Sequence, residues 1–390
     1  VPADPDPTSD EVTVSSRRLS GPLVTVVALA LVGTVLGVGL TLLDLSRTTA
    51  TNGWLVHASP NGPAHRIIAA DLPREPLTAT GEHDGTQFYA VARFPFDFNA
   101  ASEHLDRPRY RLQRIVFPYA ARGLVPTSQG ATLVWAMFAV TVLGAFLGGV
   151  ASGALSLTLR GPPWPALVFP ILPGVLISSR IVVSDSLAVA LTLSAMVLFL
   201  RGRTRWAVAA GALAVLTKEP MVLTLAGVAL WSRDRRGVQF VAGSIAPAVA
   251  WYVFLWWRLP AADNHSSEFT WPFVGWWDSL QQVWLPGPDT LAAIVFVTTL
   301  AATVVALRRR GPRHPLWWPM VGNLALLTVL DIVVIGFDRN GPRATLPLLA
   351  LAIVALAAPR APATLPASYA PVRRATTGAK VSRASAPTVT

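Results

Sequence analysis

One carboxylate and a row of cations stand apart in an otherwise apolar chain. Asp84 lies in His83-Asp84-Gly85-Thr86-Gln87-Phe88-Tyr89-Ala90-Val91-Ala92-Arg93, and Arg107, Arg109, Arg111 and Arg114 follow within eight positions of one another. A carboxylate can take a proton from a hydroxyl as a general base. Guanidinium forks match phosphate oxygens and stabilise charge that develops on them. Further on, Lys218-Glu219-Pro220 interrupts an apolar stretch, and Asp185 and Arg343 stand at the head of others. A base, several cations and an apolar surround suit transfer from a lipid-linked phosphate donor to an acceptor hydroxyl. Phosphate is already a good leaving group, so this chemistry needs no strong general acid.

Each of these groups also has a simpler use. Asp-Gly is a common turn signal, and the glycine permits a backbone shape that leaves the carboxylate at the surface. The arginines can pair with Asp97, Glu103 and Asp106, or bind lipid headgroups. Lys218 and Glu219 can form an ion pair that caps two short helices, and Asp185 can cap the helix that follows Ser184. After Asp84, residues Phe88, Tyr89, Ala92 and Phe96 recur at near-helical spacing. That spacing predicts a short amphipathic helix lying on a membrane, with Asp84 at its start, where negative charge is favoured.

The elements that must position these groups are membrane spans. The chain of 390 residues is 52% hydrophobic and 14% charged, where a soluble domain carries about 25% charged residues. Apolar runs long enough to cross a bilayer fall near 22–43, 131–159, 164–179, 181–200, 238–257, 291–307, 316–337 and 343–358. The stretch 206–231 is also apolar, with Lys218-Glu219-Pro220 at its middle. A single crossing would bury two charges at mid-membrane, at about 2.5–3.5 kcal/mol for each on insertion scales. A hairpin avoids this. It also brings the clusters Arg201, Arg203, Arg205 and Arg233, Arg235, Arg236 to one side, together with Arg308 to Arg310.

The predicted fold is therefore an all-α integral membrane bundle of 9–11 transmembrane or re-entrant helices. Its polar loop 46–130 faces away from the cytoplasm, both termini are cytoplasmic, and residues 1–21 and 359–390 are disordered. The net charge of +11 comes from clusters at span ends, which excludes nucleic acid as the partner. Fourteen tryptophans gather near span ends, and the chain has no cysteine, which excludes disulfides, zinc thiolates and cysteine nucleophiles.

The string from His83 to Ala92 resembles the first-loop motif of the GT-C superfamily of polytopic membrane glycosyltransferases. Asp106-Arg107-Pro108 with Tyr110-Arg111-Leu112-Gln113-Arg114-Ile115, Ser184-Asp185-Ser186-Leu187, Leu216-Thr217-Lys218-Glu219 and Arg343 are similar to elements of an uncharacterised bacterial subgroup. The resemblance spans residues 22–358. It implies a GT-C-like bundle in a bacterial plasma membrane. It also implies inverting transfer from a polyprenyl-phosphate sugar to a glycan, lipid or protein acceptor on the extracytoplasmic side. By the resemblance Asp84 is the catalytic base. Arg111, Arg114, Lys218 and Arg343 are connected with the donor phosphate, while His83, Gln87, Tyr89, Arg109, Asp185 and Glu219 complete the substrate-binding set. Some members use a divalent metal. This loop has Glu82 and His83 beside Asp84 but no Asp-x-Asp, so the sequence requires no cofactor.

Two other functions use the same residues. A transporter or flippase of a lipid-linked anion would line its pathway with these charges, although no internal repeat of the transporter kind is visible. A non-catalytic membrane scaffold would present the loop to a partner.

Overall fold

A computed structural model describes residues 20–47, 55–75, 83–260, 268–285 and 289–359. Most of the two expected disordered ends, and Glu82, lie outside the described residues. Among the described residues the regular elements are all helices, apart from an isolated bridge between Phe269 and Leu330. After α1 (Ser20–Arg47) come five short helices: α2 (His65–Asp71), α3 (Asp84–Arg93), α4 (Phe98–Ser102), α5 (Pro108–Arg111) and α6 (Val116–Leu124). The apolar bundle continues with α7 (Ala131–Thr158), α8 (Pro165–Val168), α9 (Pro173–Arg180), α10 (Asp185–Leu200), α11 (Thr204–Thr217), α12 (Met221–Ser232) and α13 (Arg235–Arg258). It closes with α14 (Val274–Ser279), α15 (Thr290–Arg310), α16 (Trp317–Val329), α17 (Ile332–Ile335) and α18 (Gly341–Ala357).

Four helices, α1, α7, α13 and α15, have the length and apolar composition to cross a membrane. The central helix α10 is buried along almost its whole length and packs mainly on α7 and α11. Small residues set that closeness. A Cβ added to Gly144 of α7 would lie 2.6 Å from the backbone nitrogen of Leu187 in α10. In an apolar medium such contact packing replaces the hydrophobic drive that holds soluble bundles together.

The stretch 206–231 does fold back on itself. Helix α11 ends at Thr217, Lys218 is extended, and α12 starts after Pro220. Proline lacks the N–H that would continue the first helix. Both ends of the stretch meet the start of α13. Arg236 donates to the Thr204 hydroxyl at 3.3 Å, and a Cβ on Gly237 would press on Ser232 and Ala229. The Trp231 indole donates to the Arg313 carbonyl at 2.8 Å, and Arg310 donates to the carbonyls of Ala358 and Pro359. The basic clusters thus gather at one end of the bundle, and the first-loop helices lie at the other.

Two expected spans are broken. Within 164–179, Pro165, Pro170 and Pro173 divide the run, and Leu172 takes an extended conformation before Pro173. Within 316–337, α16 stops at Leu330, which is extended and bridges to Phe269. Asp331 then caps α17 by accepting from the Val333 N–H at 3.1 Å.

The helix expected after Asp84 is present, but its surroundings differ from the expectation. Residues Gly85 to Ala92 of α3 are all buried, packed by protein on every side, so α3 does not lie on a membrane surface. Asp84-Gly85 is not a turn but the first turn of this helix. The reason for glycine is close approach: a Cβ on Gly85 would sit 2.4 Å from the Ile181 carbonyl oxygen and 3.1 Å from that of Val56.

Candidate functional site

A cavity of about 640 Å³ opens where α3, α5, the α11–α12 turn and the start of α18 converge. Its polar wall includes Asp84, Arg111, Arg114, Asp185, Lys218 and Arg343. Apolar side chains line the cavity as well, among them Val189, Leu326, Leu330, Val333, Val334 and Pro347. Four polar stretches far apart in sequence therefore meet at one place.

The charges there form a linked set. Asp84 accepts from Arg111 Nη1 at 2.5 Å and from Arg343 Nη2 at 2.7 Å. Arg111 is anchored separately: its Nε and Nη2 both donate to Asp106, each at 2.8 Å. Arg343 is anchored by Asp185, which accepts from Nε at 2.9 Å, and by the Asn340 side-chain oxygen at 3.2 Å. Asp185 also accepts from Lys218. Arg114 grips Glu219 with two nitrogens, at 2.8 and 2.5 Å, and donates to the Tyr110 hydroxyl. Such geometry satisfies the buried charges on both sides, the condition under which they are tolerated.

Burial separates the members of this set. The Asp185 side chain is 2% exposed and Arg343 7%, whereas Asp84 is 23% exposed toward the cavity. Burial alone would raise the pKa of Asp84, but Arg111, Arg343 and Arg114 outweigh it and hold the carboxyl well below the usual range.

The alternative uses of these residues can now be compared with the contacts. Lys218 and Glu219 do not pair with each other; each reaches a different partner. Asp185 sits in the first turn of α10, yet its carboxylate engages Lys218 and Arg343, and Ser184 makes no side-chain cap. Asp106 is an arginine partner, while Asp97 caps α4 through the Ala100 N–H.

Three residues of the expected substrate set lie outside the cavity wall. The Tyr89 hydroxyl donates to Asp71 at 2.7 Å and accepts from the Gly130 N–H at 2.8 Å. The Gln87 side-chain oxygen accepts from the Asp106 N–H at 3.2 Å and so braces the loop that carries Arg111. Arg109 points to the Leu259 and Trp256 carbonyls. His83 does line the cavity.

Other residues, Glu268 on the cavity wall and Arg339 and His57 next to His83, were not singled out by sequence. Glu268 accepts from Arg107 at 2.7 Å and from the Tyr110 hydroxyl at 2.9 Å. Its one signal was an acidic residue in a loop rich in tryptophan. Arg339 donates to Nε2 of both His57 and His83, whose rings lie 4.5 Å apart. Burial and the nearby guanidiniums lower these histidines, to about 3 for His57 and about 4 for His83. Both are therefore neutral near pH 7.

Among the described residues no group of three or more His, Asp or Glu is placed to hold a metal ion. The cavity carboxylates are engaged by cations, which would repel a further positive charge. Comparison with protein-family models, curated proteins and solved structures finds no match to this chain.

Proposed function

We propose that this chain is a GT-C-type membrane glycosyltransferase. It moves a sugar, with inversion, from a polyprenyl-phosphate donor to an acceptor hydroxyl on a glycan, lipid or protein. The observation that carries the reading is the mixed lining of the cavity. A carboxylate accessible from the cavity stands beside guanidinium and ammonium groups, and apolar side chains line the same space. A phosphate headgroup with an apolar tail suits such a lining.

In the reaction the acceptor oxygen bonds to the anomeric carbon as the carbon–oxygen bond to phosphate breaks. The acceptor proton passes to Asp84, and the phosphate leaves with the electron pair. Arg111, Arg343 and Lys218 compensate the charge on the departing phosphate. The positive-inside trend supports a cytoplasmic basic end and an extracytoplasmic cavity, and the proposed membrane is a bacterial plasma membrane. Exposed aromatic residues at the cavity end, among them Trp257 and Trp271, suit the headgroup layer there.

The test is incubation of purified protein with a panel of polyprenyl-phosphate sugars and product analysis. Labelled product from wild type and none from Asp84→Asn supports the reading. A transporter of a lipid-linked anion would use the same cations at the cavity wall; its transport would persist in Asp84→Asn and fail in Arg343→Gln.

A further inference from the structure

The two guanidiniums that hold Asp84 do not depend on it for their own placement. Asp106 grips Arg111 through two nitrogens and leaves Nη1 for Asp84. Asp185 and Asn340 grip Arg343 through two other nitrogens and leave Nη2 for Asp84. Nη1 of Arg111 and Nη2 of Arg343 are thus two fixed prongs that meet on one carboxylate. Asp106 is more exposed, at 36% against 23% for Asp84, but Arg111 grips it through two nitrogens, and Asp185 is sealed, so Asp84 is the carboxylate of the three that can leave without releasing an anchor. Two convergent, pre-placed N–H donors are what a phosphate oxygen pair requires.

We propose that the Arg111–Arg343 fork is an anion seat for which Asp84 and the phosphate group of the donor, a singly charged diester, are alternative occupants. The incoming phosphate takes both prongs, and Asp84 turns toward the cavity without its cations. This rests on the phosphate-binding reading of the cavity given above. It adds an order of events: the anionic donor binds first and, by removing the clamp, turns Asp84 from a held counterion into a working base. Asp106 and Asp185 are positioning residues in this scheme, because they keep the prongs in place during the exchange. The charged or titratable groups facing Asp84 are Arg111 and Arg114 from the loop, Arg343 from α18 and His83 beside it. None of these cations titrates near neutral pH, so the exchange is driven by the anion.

Calorimetric titration of the full chain in detergent, with inorganic phosphate and with a short-chain prenyl phosphate, tests the seat. Asp84→Asn removes the competing charge at nearly constant volume, and both anions should bind at least about tenfold tighter than to wild type. Asp84→Glu keeps a competitor and should stay near wild type. Adding Arg343→Gln to Asp84→Asn should abolish the gain. Unchanged or weaker binding to a folded Asp84→Asn protein overturns the proposal. Prenyl phosphate binding far more tightly than inorganic phosphate assigns the anion to a lipid; equal binding assigns it to a free phosphate, and either supports the seat.

A measurement on wild type covers the case in which the variants fail to fold. Sulfate does not titrate near the carboxylate range, so proton uptake on its binding reports the displaced Asp84. Uptake at about pH 4.5 and none at about pH 7.5 is expected, and no uptake at the lower value overturns the exchange. Tighter binding by Asp84→Asn with no product from any donor would sink the transferase reading alone. Sugar transfer by wild type without the binding gain would sink the seat alone.

Discussion

Helix α3 carries the same residue types to two different purposes at its two ends. At its first residue, Asp84 meets Arg111 and Arg343 beside a cavity. Toward its last turn, Tyr89 and Arg93 meet Asp71, with Arg93 Nε donating at 3.0 Å. Both clusters join a carboxylate to arginine with short, well-directed bonds. They differ in where the partners come from and in what adjoins them. The Asp71 cluster draws on α2, α3 and Gly130, all within or at the edge of one loop, and borders no part of the cavity. The Asp84 cluster draws on the loop and on the last helix and forms a cavity wall. An ion pair alone therefore does not mark a site; convergence of distant elements on accessible space does.

Four experiments break or sharpen that comparison. The largest effect is expected for Asp84→Asn, which should slow transfer by about 10²–10⁴-fold, the range of general-base catalysis, in the donor-panel assay. Next is Asp185→Asn. It leaves Arg343 and Lys218 without their buried counterion, and unfolding measurements should show a loss of about 3–5 kcal/mol. Tyr89→Phe leaves Asp71 and the Gly130 N–H short of a partner, and should cost about 1–3 kcal/mol with the transfer rate of the folded protein unchanged. A folded Tyr89→Phe protein without transfer would erase the distinction between the two ends. The smallest effect belongs to Arg109→Gln, which removes bonds to backbone carbonyls away from the cavity. It should cost about 1 kcal/mol and leave transfer intact, whereas Arg111→Gln should not.

The pH dependence of stability follows from the shifted groups. His57 and His83 are lowered from 6.5 to about 3 and about 4. The unfolded chain thus binds more protons than the folded one between those values, and stability falls as pH drops below about 6.5. Asp84 acts over a lower window. Its lowered pKa contributes stability above the ordinary carboxylate range, and that contribution fades as pH falls through the folded value. A thermal unfolding series should therefore decline from about pH 6.5 downward, and His57→Gln with His83→Gln should flatten the upper part of the decline. A flat wild-type profile there would contradict the buried, neutral assignment.

The sequence revealed some of this through charge and some not at all. The return at Lys218-Glu219-Pro220 was legible because charges in an apolar run and flanking arginine clusters leave one arrangement. The broken spans were not legible from hydropathy, which averages over Pro170, Pro173 and Asp331. Asp84 stood out as a lone carboxylate before a basic run, but its neighbours in the motif misled. Tyr89 follows it by five positions, about 140° around a helix at 100° per residue, so the two side chains leave α3 on different faces. Spacing also could not separate Arg109 from Arg111, because a helix as short as α5 fixes directions only through what it packs on. The pairing of Asp84 with Arg343 had no local signal.

That last pairing spans 259 residues of sequence. During synthesis the first loop is made well before α18, so Asp84 and Arg111 can meet long before Arg343 exists. Until α18 is seated, Asp185 and Lys218 can face each other and Arg114 can hold Glu219, but nothing links Asp185 to Asp84. The Arg343 guanidinium is thus the clasp that closes the assembled membrane domain. A chain that stalls before residue 343 would hold most of the right parts and no finished site.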